Sequence, residues 1–125
     1  MASRALIVDD EPSILVTLEL VLKSEGFEVD TAPSAQAAKA CLGRQTFDFV
    51  LTDLSLETRS SGYEVVRAAK KHPSRPVTVV ISGFPDLLNQ WEAEGADAGL
   101  QKPTDVPELL NTIRGLLARR KGCAA

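Results

Sequence analysis

Phe49-Val50-Leu51-Thr52-Asp53-Leu54-Ser55 is the stretch whose reading decides the fold. Its first four residues are apolar or β-branched without a break, the pattern of a strand covered on both faces in a parallel sheet. A carboxylate then closes the run. Two further runs follow the same rule: Ala5-Leu6-Ile7-Val8 leads into Asp9, Asp10 and Glu11, and Val77-Thr78-Val79-Val80-Ile81 leads into Ser82. Phe27-Glu28-Val29-Asp30-Thr31 alternates instead, as an edge strand does. A short fifth strand is expected near Ala98 to Gln101.

Amphipathic stretches fill the gaps between the runs. From Pro12 to Lys23, Leu15, Leu18 and Leu22 recur at helical spacing, with Pro12 suited to a first turn and Gly26 to the cap beyond the end. Ser34 is the expected N-cap for a helix reaching about Leu42. Gly62 to His72 turns Val66 and Ala69 inward and stops before Pro73. Pro85 to Glu94 carries Leu88 and Trp91 and is closed by Gly95. In the last helix Val106, Leu109, Leu110, Ile113 and Leu117 share one face behind an N-cap at Thr104. Five alternations of strand and helix imply an α/β fold, a doubly wound parallel sheet with helices on both sides. Binding sites in such sheets lie outside the carboxyl ends of the strands.

The 125 residues fit one domain, expected over 1–121 with 122–125 as a short tail and without a separate output domain. The net charge of −3 argues against a nucleic-acid surface over the whole domain. No apolar run reaches the roughly 20 residues of a membrane helix, and no signal-peptide pattern opens the chain. Cys41 and Cys123 stand in no metal-binding or redox spacing, and Cys123, third from the end, forms no prenylation box. A cytoplasmic setting is the expectation.

The strand-end rule gathers Asp9, Asp10, Asp53, Ser82 and Lys102, although they are scattered along the chain. Three carboxylates brought together repel one another unless a cation lies between them. An all-oxygen cluster with few protein ligands suits Mg²⁺, which keeps several waters and accepts phosphate oxygens. Lys102 offers a point charge for Asp53 or for a phosphoryl oxygen, and Ser82 a hydroxyl that can follow a phosphoryl group. Nucleophile, metal and fixed positive charge are what phosphoryl transfer needs. Taken singly, each aspartate would be read as solvated surface; the position of each at the end of a buried-type strand argues otherwise. His72 is better explained as a favourable charge at a helix end than as a phosphotransfer group.

Asp9-Asp10, Asp53, Ser82-Gly83 and Lys102-Pro103 resemble, in order and spacing, the five signature positions of response-regulator receiver domains. The resemblance runs from Arg4 to about Leu117, with Gly26-Phe27, Gly62 and Gly95-Ala96-Asp97 as lesser matches. It implies a flavodoxin-like sheet of order 2-1-3-4-5 with five helices. It also implies roles. Asp53 would be the phosphoacceptor, Asp10 a direct Mg²⁺ ligand and Asp9 a ligand largely through water. The Ser55 carbonyl would be a further ligand, Lys102 the partner of the phosphoryl group, and Ser82 the hydroxyl that moves to it. Pro103 would shape the turn that aims Lys102. The implied partners are a histidine kinase or a histidine phosphotransfer protein upstream and a downstream protein or fused output domain. Direct nucleic-acid or membrane contact is not expected. A homodimer, where one forms, would use the face of the fourth helix, fifth strand and fifth helix.

Two departures from that pattern stand out. Many receivers carry an aromatic residue three positions before the lysine, where this chain has Gly99. After Asp53, Leu56-Glu57 replaces the usual Met-Pro pair and Gly62 comes one position late, which predicts a mobile loop whose Glu57, Thr58 and Arg59 reach toward the site. Trp91 with Leu87 is a candidate docking patch. Two competing functions follow. One is a receiver-like interaction module indifferent to phosphorylation, motivated by Gly99 and the lengthened loop. The other is a dehalogenase-like phosphohydrolase, which Asp53-Leu54-Ser55 disfavours because it lacks a second aspartate as general acid.

Overall fold

The computed structural model describes residues 3–124, with side chains through residue 120. Five strands and five helices alternate: β1 (Arg4–Val8), α1 (Pro12–Ser24), β2 (Glu28–Ala32), α2 (Ala35–Arg44), β3 (Phe49–Asp53), α3 (Gly62–Lys71), β4 (Val77–Ser82), α4 (Pro85–Leu88), β5 (Ala98–Gln101) and α5 (Val106–Ala124). The strands are all parallel, in the order β2-β1-β3-β4-β5. The alternating Phe27–Thr31 run is thus an edge strand, shifted by one residue, and the continuous runs are the interior ones. The backbone of α5 passes through most of the stretch expected as a tail, 122–125; Ala125 and the side chain of Cys123 lie outside the described residues.

Period-two alternation sends each interior strand's side chains to two cores. Ala5, Ile7, Phe49, Leu51 and Val79 meet Leu22 of α1 and Leu109 and Ile113 of α5. Leu6, Val8 and Val50 meet Ala35, Ala38 and Leu42 of α2 and Val65 and Ala69 of α3. Ile113 is fully buried, so its truncation to Ala is worth about 2–5 kcal/mol.

Helix ends follow side-chain chemistry closely. At the end of α1, Gly26 adopts φ +93°, its N–H donates to the Lys23 carbonyl, and Phe27 N–H donates to the Leu22 carbonyl. That pair of bonds is a Schellman cap, and Phe27 and Leu22 pack into the same core beside it. Ser34 caps α2, its hydroxyl accepting from Ala37 N–H at 3.0 Å.

Two expectations are corrected. The N-cap of α5 is Asp105, whose carboxylate accepts from Glu108 N–H at 2.8 Å, whereas Thr104 donates its hydroxyl to the Gln101 carbonyl. Asp105 and Glu108 have the spacing of a capping box, a signal present in the sequence. Val106 keeps the side of Leu109 and Ile113 but, on that first turn, stays 38% exposed where they are buried. The helix expected over Pro85–Glu94 is one turn, Pro85–Leu88, followed by hydrogen-bonded turns. In a continued helix the Leu87 carbonyl would accept from Trp91 N–H. Here the buried Tyr63 hydroxyl donates to it at 2.6 Å, and Trp91 N–H donates to Leu88 instead.

Candidate functional site

Each site residue is placed by a ladder running one step beyond its strand. Asp9 N–H donates to the Ala32 carbonyl, Leu54 N–H to Ile81 and Lys102 N–H to Ser82, at 3.2, 3.1 and 2.9 Å. Asp53 pairs in register with Ile81 and Ser82 with Gln101, so the strand ends open at one edge of the sheet. Asp9, Asp53 and Ser82 are buried and Asp10 is exposed. Asp9, Asp53, Ser82 and Lys102 thus stand at the carboxyl edge of the sheet.

One carboxylate oxygen from each of Asp9, Asp10 and Asp53 lies within 4.8 Å of the others. Lys102 Nζ stands 3.2 Å from Asp53 Oδ2 and 3.3 Å from Asp9 Oδ2. Three carboxylates face one ammonium, a surplus of negative charge. Burial pushes the Asp53 carboxyl above its ordinary range, and Asp9 adds to the rise against the pull of Lys102. Burial alone would lower the Lys102 ammonium, yet Asp53 and Asp9 together outweigh it and hold the ammonium above its usual value. The Asp53 rise thus comes chiefly from burial, and the Lys102 rise from its two carboxylates. The donor set is hard, oxygen-only and open to solvent at Asp10, which fits a small divalent cation that keeps part of its water shell.

Backbone donors trim the geometry. Glu11 N–H donates to Asp9 Oδ1 at 3.0 Å and Ser55 N–H to Asp53 Oδ1 at 3.3 Å. Ser82 Oγ accepts from Phe84 N–H at 3.0 Å, which ties the hydroxyl to the start of the next segment.

Gly62 supports the site more directly than its place at the head of a helix suggested. Its N–H donates to the Leu54 carbonyl at 2.9 Å, and a Cβ there would run into the Asp53 carbonyl oxygen and lie 2.5 Å from Leu54 Cα. Only glycine lets α3 start so close to the strand that ends in Asp53.

The loop after Asp53 does not send its charges inward. Glu57 turns outward and accepts from Ala35 N–H and Gln36 N–H of α2 at 2.8 and 3.1 Å. Those bonds, that from Ala35 foremost, hold the Glu57 carboxyl below its ordinary range. Arg59 pairs with Asp86 at 2.6 Å and lies over the Phe84 ring. Thr58 is engaged by Leu56 and Ser61 within the loop. The length of the loop was legible, but not its partners, because α2 and α4 are remote in sequence. Nor do Leu87 and Trp91 form an open patch: Leu87 is buried and Trp91 packs on the cluster beneath it.

Comparison with known proteins gives a consistent result. The family model described as response regulator receiver domain matches residues 5–114. A protein of Brucella ovis named cell cycle response regulator CtrA is 31% identical over 123 residues, covering 97% of this chain and 53% of that protein. The chain thus spans about half the length of the curated relatives it matches. Among solved structures, a CheY-like response regulator receiver domain protein from Methanospirillum hungatei JF-1 superposes with a TM-score of 0.90 at 28% identity, covering 98% of both chains. A response regulator receiver domain protein from Clostridium thermocellum does so with a TM-score of 0.84 at 30% identity, covering 95% of this chain and 97% of that one.

Proposed function

Because the chain belongs to the response-regulator receiver domain family of two-component signalling, we propose that it accepts a phosphoryl group on Asp53 from a phosphohistidine and uses the modification to change the binding of a partner. The family is one of signalling domains and not of classical enzymes, which supports the signalling reading over the phosphohydrolase one. The observation that carries the proposal is the contact of Lys102 Nζ with both Asp53 and Asp9, at 3.2 and 3.3 Å, beside the exposed Asp10.

In the proposed step an Asp53 Oδ forms a bond to phosphorus while the P–N bond to the donor imidazole breaks, and the departing imidazole takes up a proton. Lys102 pairs with the phosphoryl oxygens as charge moves onto them, and the Ser82 hydroxyl donates to one of them. Water later attacks phosphorus, releasing inorganic phosphate and restoring the Asp53 carboxylate. Receiver domains generally bind Mg²⁺ at an acidic pocket; here Asp10 and Asp53 would hold it directly, Asp9 largely through water, and the Ser55 carbonyl would be a further ligand. When bound, the ion supplies positive charge that offsets the carboxylates and the incoming phosphoryl oxygens. The donor would be a histidine kinase or a histidine phosphotransfer protein, and the readout a downstream protein or an output domain. Residues 1–121 would form the working unit, in a cytoplasmic setting; among the described residues no helix is long and apolar enough to cross a membrane.

The test is intact-mass measurement after incubation with Mg²⁺ and acetyl phosphate. A gain of one phosphoryl group in the natural chain and none in Asp53→Asn is expected; equal labelling of both would remove Asp53 from the role. A second reading, a partner-binding module that ignores phosphorylation, draws on Gly99, which leaves the fifth strand without a side chain to respond. It predicts equal partner affinity with and without a phosphoryl mimic.

A further inference from the structure

Gly99 pairs across the sheet with Val80, and the space over it is already filled. A Cβ at Gly99 would lie 2.5 Å from Cδ1 and 2.8 Å from Cγ of Trp91. The indole therefore rests on bare backbone, and any side chain at position 99 would displace it. The same ring packs on the apolar cluster that contains Leu54, Tyr63, Val66, Val80 and Leu87. Leu54 directly follows Asp53.

Trp91 belongs to a short connection whose other end is the acceptor site. Phe84 N–H donates to the buried Ser82 hydroxyl oxygen at 3.0 Å. From Phe84 the chain makes the single turn of α4, gives the Leu87 carbonyl to Tyr63 at 2.6 Å, and reaches Trp91. One end of this segment is thus held by a hydroxyl at the acceptor pocket and the other by a ring lodged on a glycine. Because α4 is one turn long, little regular structure stands between the two ends.

We propose that Trp91 is the positioning residue through which the acceptor site sets the pose of residues 83–95, a proposal that rests on the phosphoacceptor reading of Asp53. With Asp53 bare, the indole is seated on Gly99 and fixes the segment against β5. The Ser82 hydroxyl carries one proton. When it is donated to a phosphoryl oxygen, Oγ must turn toward the end of β3, and the Phe84 N–H either follows its acceptor or loses it. Both outcomes pull on the segment, and the seat on Gly99, held by packing alone, is the end that yields. The surface offered by α4 and β5 then differs between the two states, without a side chain on position 99.

Trp91 is the single tryptophan of the chain, so its emission reports the seat directly. The full chain is treated with Mg²⁺ and acetyl phosphate, and in parallel with Mg²⁺ and beryllium fluoride, while phosphoryl uptake is followed by intact mass. The expected result is a red shift of emission and faster acrylamide quenching that grow in step with uptake. Gly99→Ala should show the shifted emission before any phosphodonor is added and respond little afterwards. Should that variant not fold, Ser82→Ala keeps the seat and cuts the link: its emission should match the natural chain and stay unchanged at whatever uptake its mass records. Phosphoryl uptake by the natural chain with unaltered emission and quenching overturns the role of Trp91 alone. Absence of uptake overturns the acceptor reading and this inference with it.

Discussion

Asp9 follows β1 and Asp53 ends β3, whereas Asp48 and Asp97 precede strands, and the two pairs differ in how their charge is met. At the far end of the sheet Asp48 Oδ2 accepts from Arg4 N–H at 2.7 Å, and its carbonyl accepts from Val77 N–H and from Arg120. Asp97 Oδ2 accepts from Thr78 N–H at 2.8 Å, while Asp97 N–H donates back to the Thr78 carbonyl. Each of these carboxylates is tied to the backbone donor of a neighbouring strand. At the other end Asp9 and Asp53 share Lys102 and face each other, with Asp10 beside them. Identical side chains thus close the sheet at one end and leave unbalanced charge at the other. The difference marks the end at which the proposed phosphoacceptor site lies.

The strongest test of this contrast is crowding the reactive end without touching a charge. Gly62→Ala forces a methyl group against the Asp53 carbonyl and Leu54 Cα, both backbone atoms that cannot swing aside. A loss of about 2–3 kcal/mol in urea unfolding is expected, together with slower phosphoryl uptake, since the strand end must shift. Gly115→Ala, in a helix with nothing near its added Cβ, should instead be neutral or stabilising by up to about 1 kcal/mol. At the far end, Asp97→Ala strips the buried Thr78 N–H of its acceptor, worth about 1–3 kcal/mol, and should leave phosphoryl uptake per folded molecule unchanged. If Asp97→Ala lowers uptake as Gly62→Ala does, the two ends are not separable in the way proposed.

Legibility in the sequence followed the same division. The interior strands were readable because burial on both faces demands unbroken apolar runs, and their ends located Asp9, Asp53 and Ser82 without any knowledge of tertiary contacts. The short α4 was not readable, because its end is decided by Tyr63 reaching the Leu87 carbonyl from another helix. The partners of Glu57 and Arg59 were hidden for the same reason. Gly99 could be seen as an absence, but its occupant could not, since Trp91 reaches it only through the fold. Asp105 was a misreading of a signal that was present, a cap residue one position beyond the one chosen.

The charge contrast also predicts opposite pH behaviour for Asp53, at the end of β3, and Glu57, in the loop after it. Asp53 is raised from 3.8, so ionising it in the folded, metal-free chain costs stability. That cost is fully present above its folded pKa and vanishes as the pH falls below 3.8. In EDTA at neutral pH, Asp53→Asn should therefore unfold at higher urea than the natural chain, with the gap closing in acid. Adding Mg²⁺ should narrow the gap at neutral pH by stabilising only the natural site. A variant less stable than the natural chain in EDTA would mean that Lys102 compensates both carboxylates after all.

Glu57 gives the smallest effect and the sharpest contrast, because it lies on the acceptor loop yet is bound like the aspartates of the far end. Its two oxygens take Ala35 N–H and Gln36 N–H, and Ser34 takes Ala37 N–H, so the first three free amides of α2 are all met. Its carboxyl is lowered from 4.5, chiefly by the Ala35 bond. The stability it contributes is therefore present above 4.5 and lost as the pH falls through the lower folded value. Glu57→Ala should cost only about 0.5–1 kcal/mol at neutral pH, as expected of an exposed cap, and the difference from the natural chain should vanish in acid. The same change in pH that relieves the folded state of charge at Asp53 thus removes a support at Glu57. Measured on Glu57→Ala and Asp53→Asn together, the two differences should converge on zero from opposite sides. Convergence from the same side would mean that the loop has one electrostatic character, and the division between a ligand-taking carboxylate and a structural one would not hold within it.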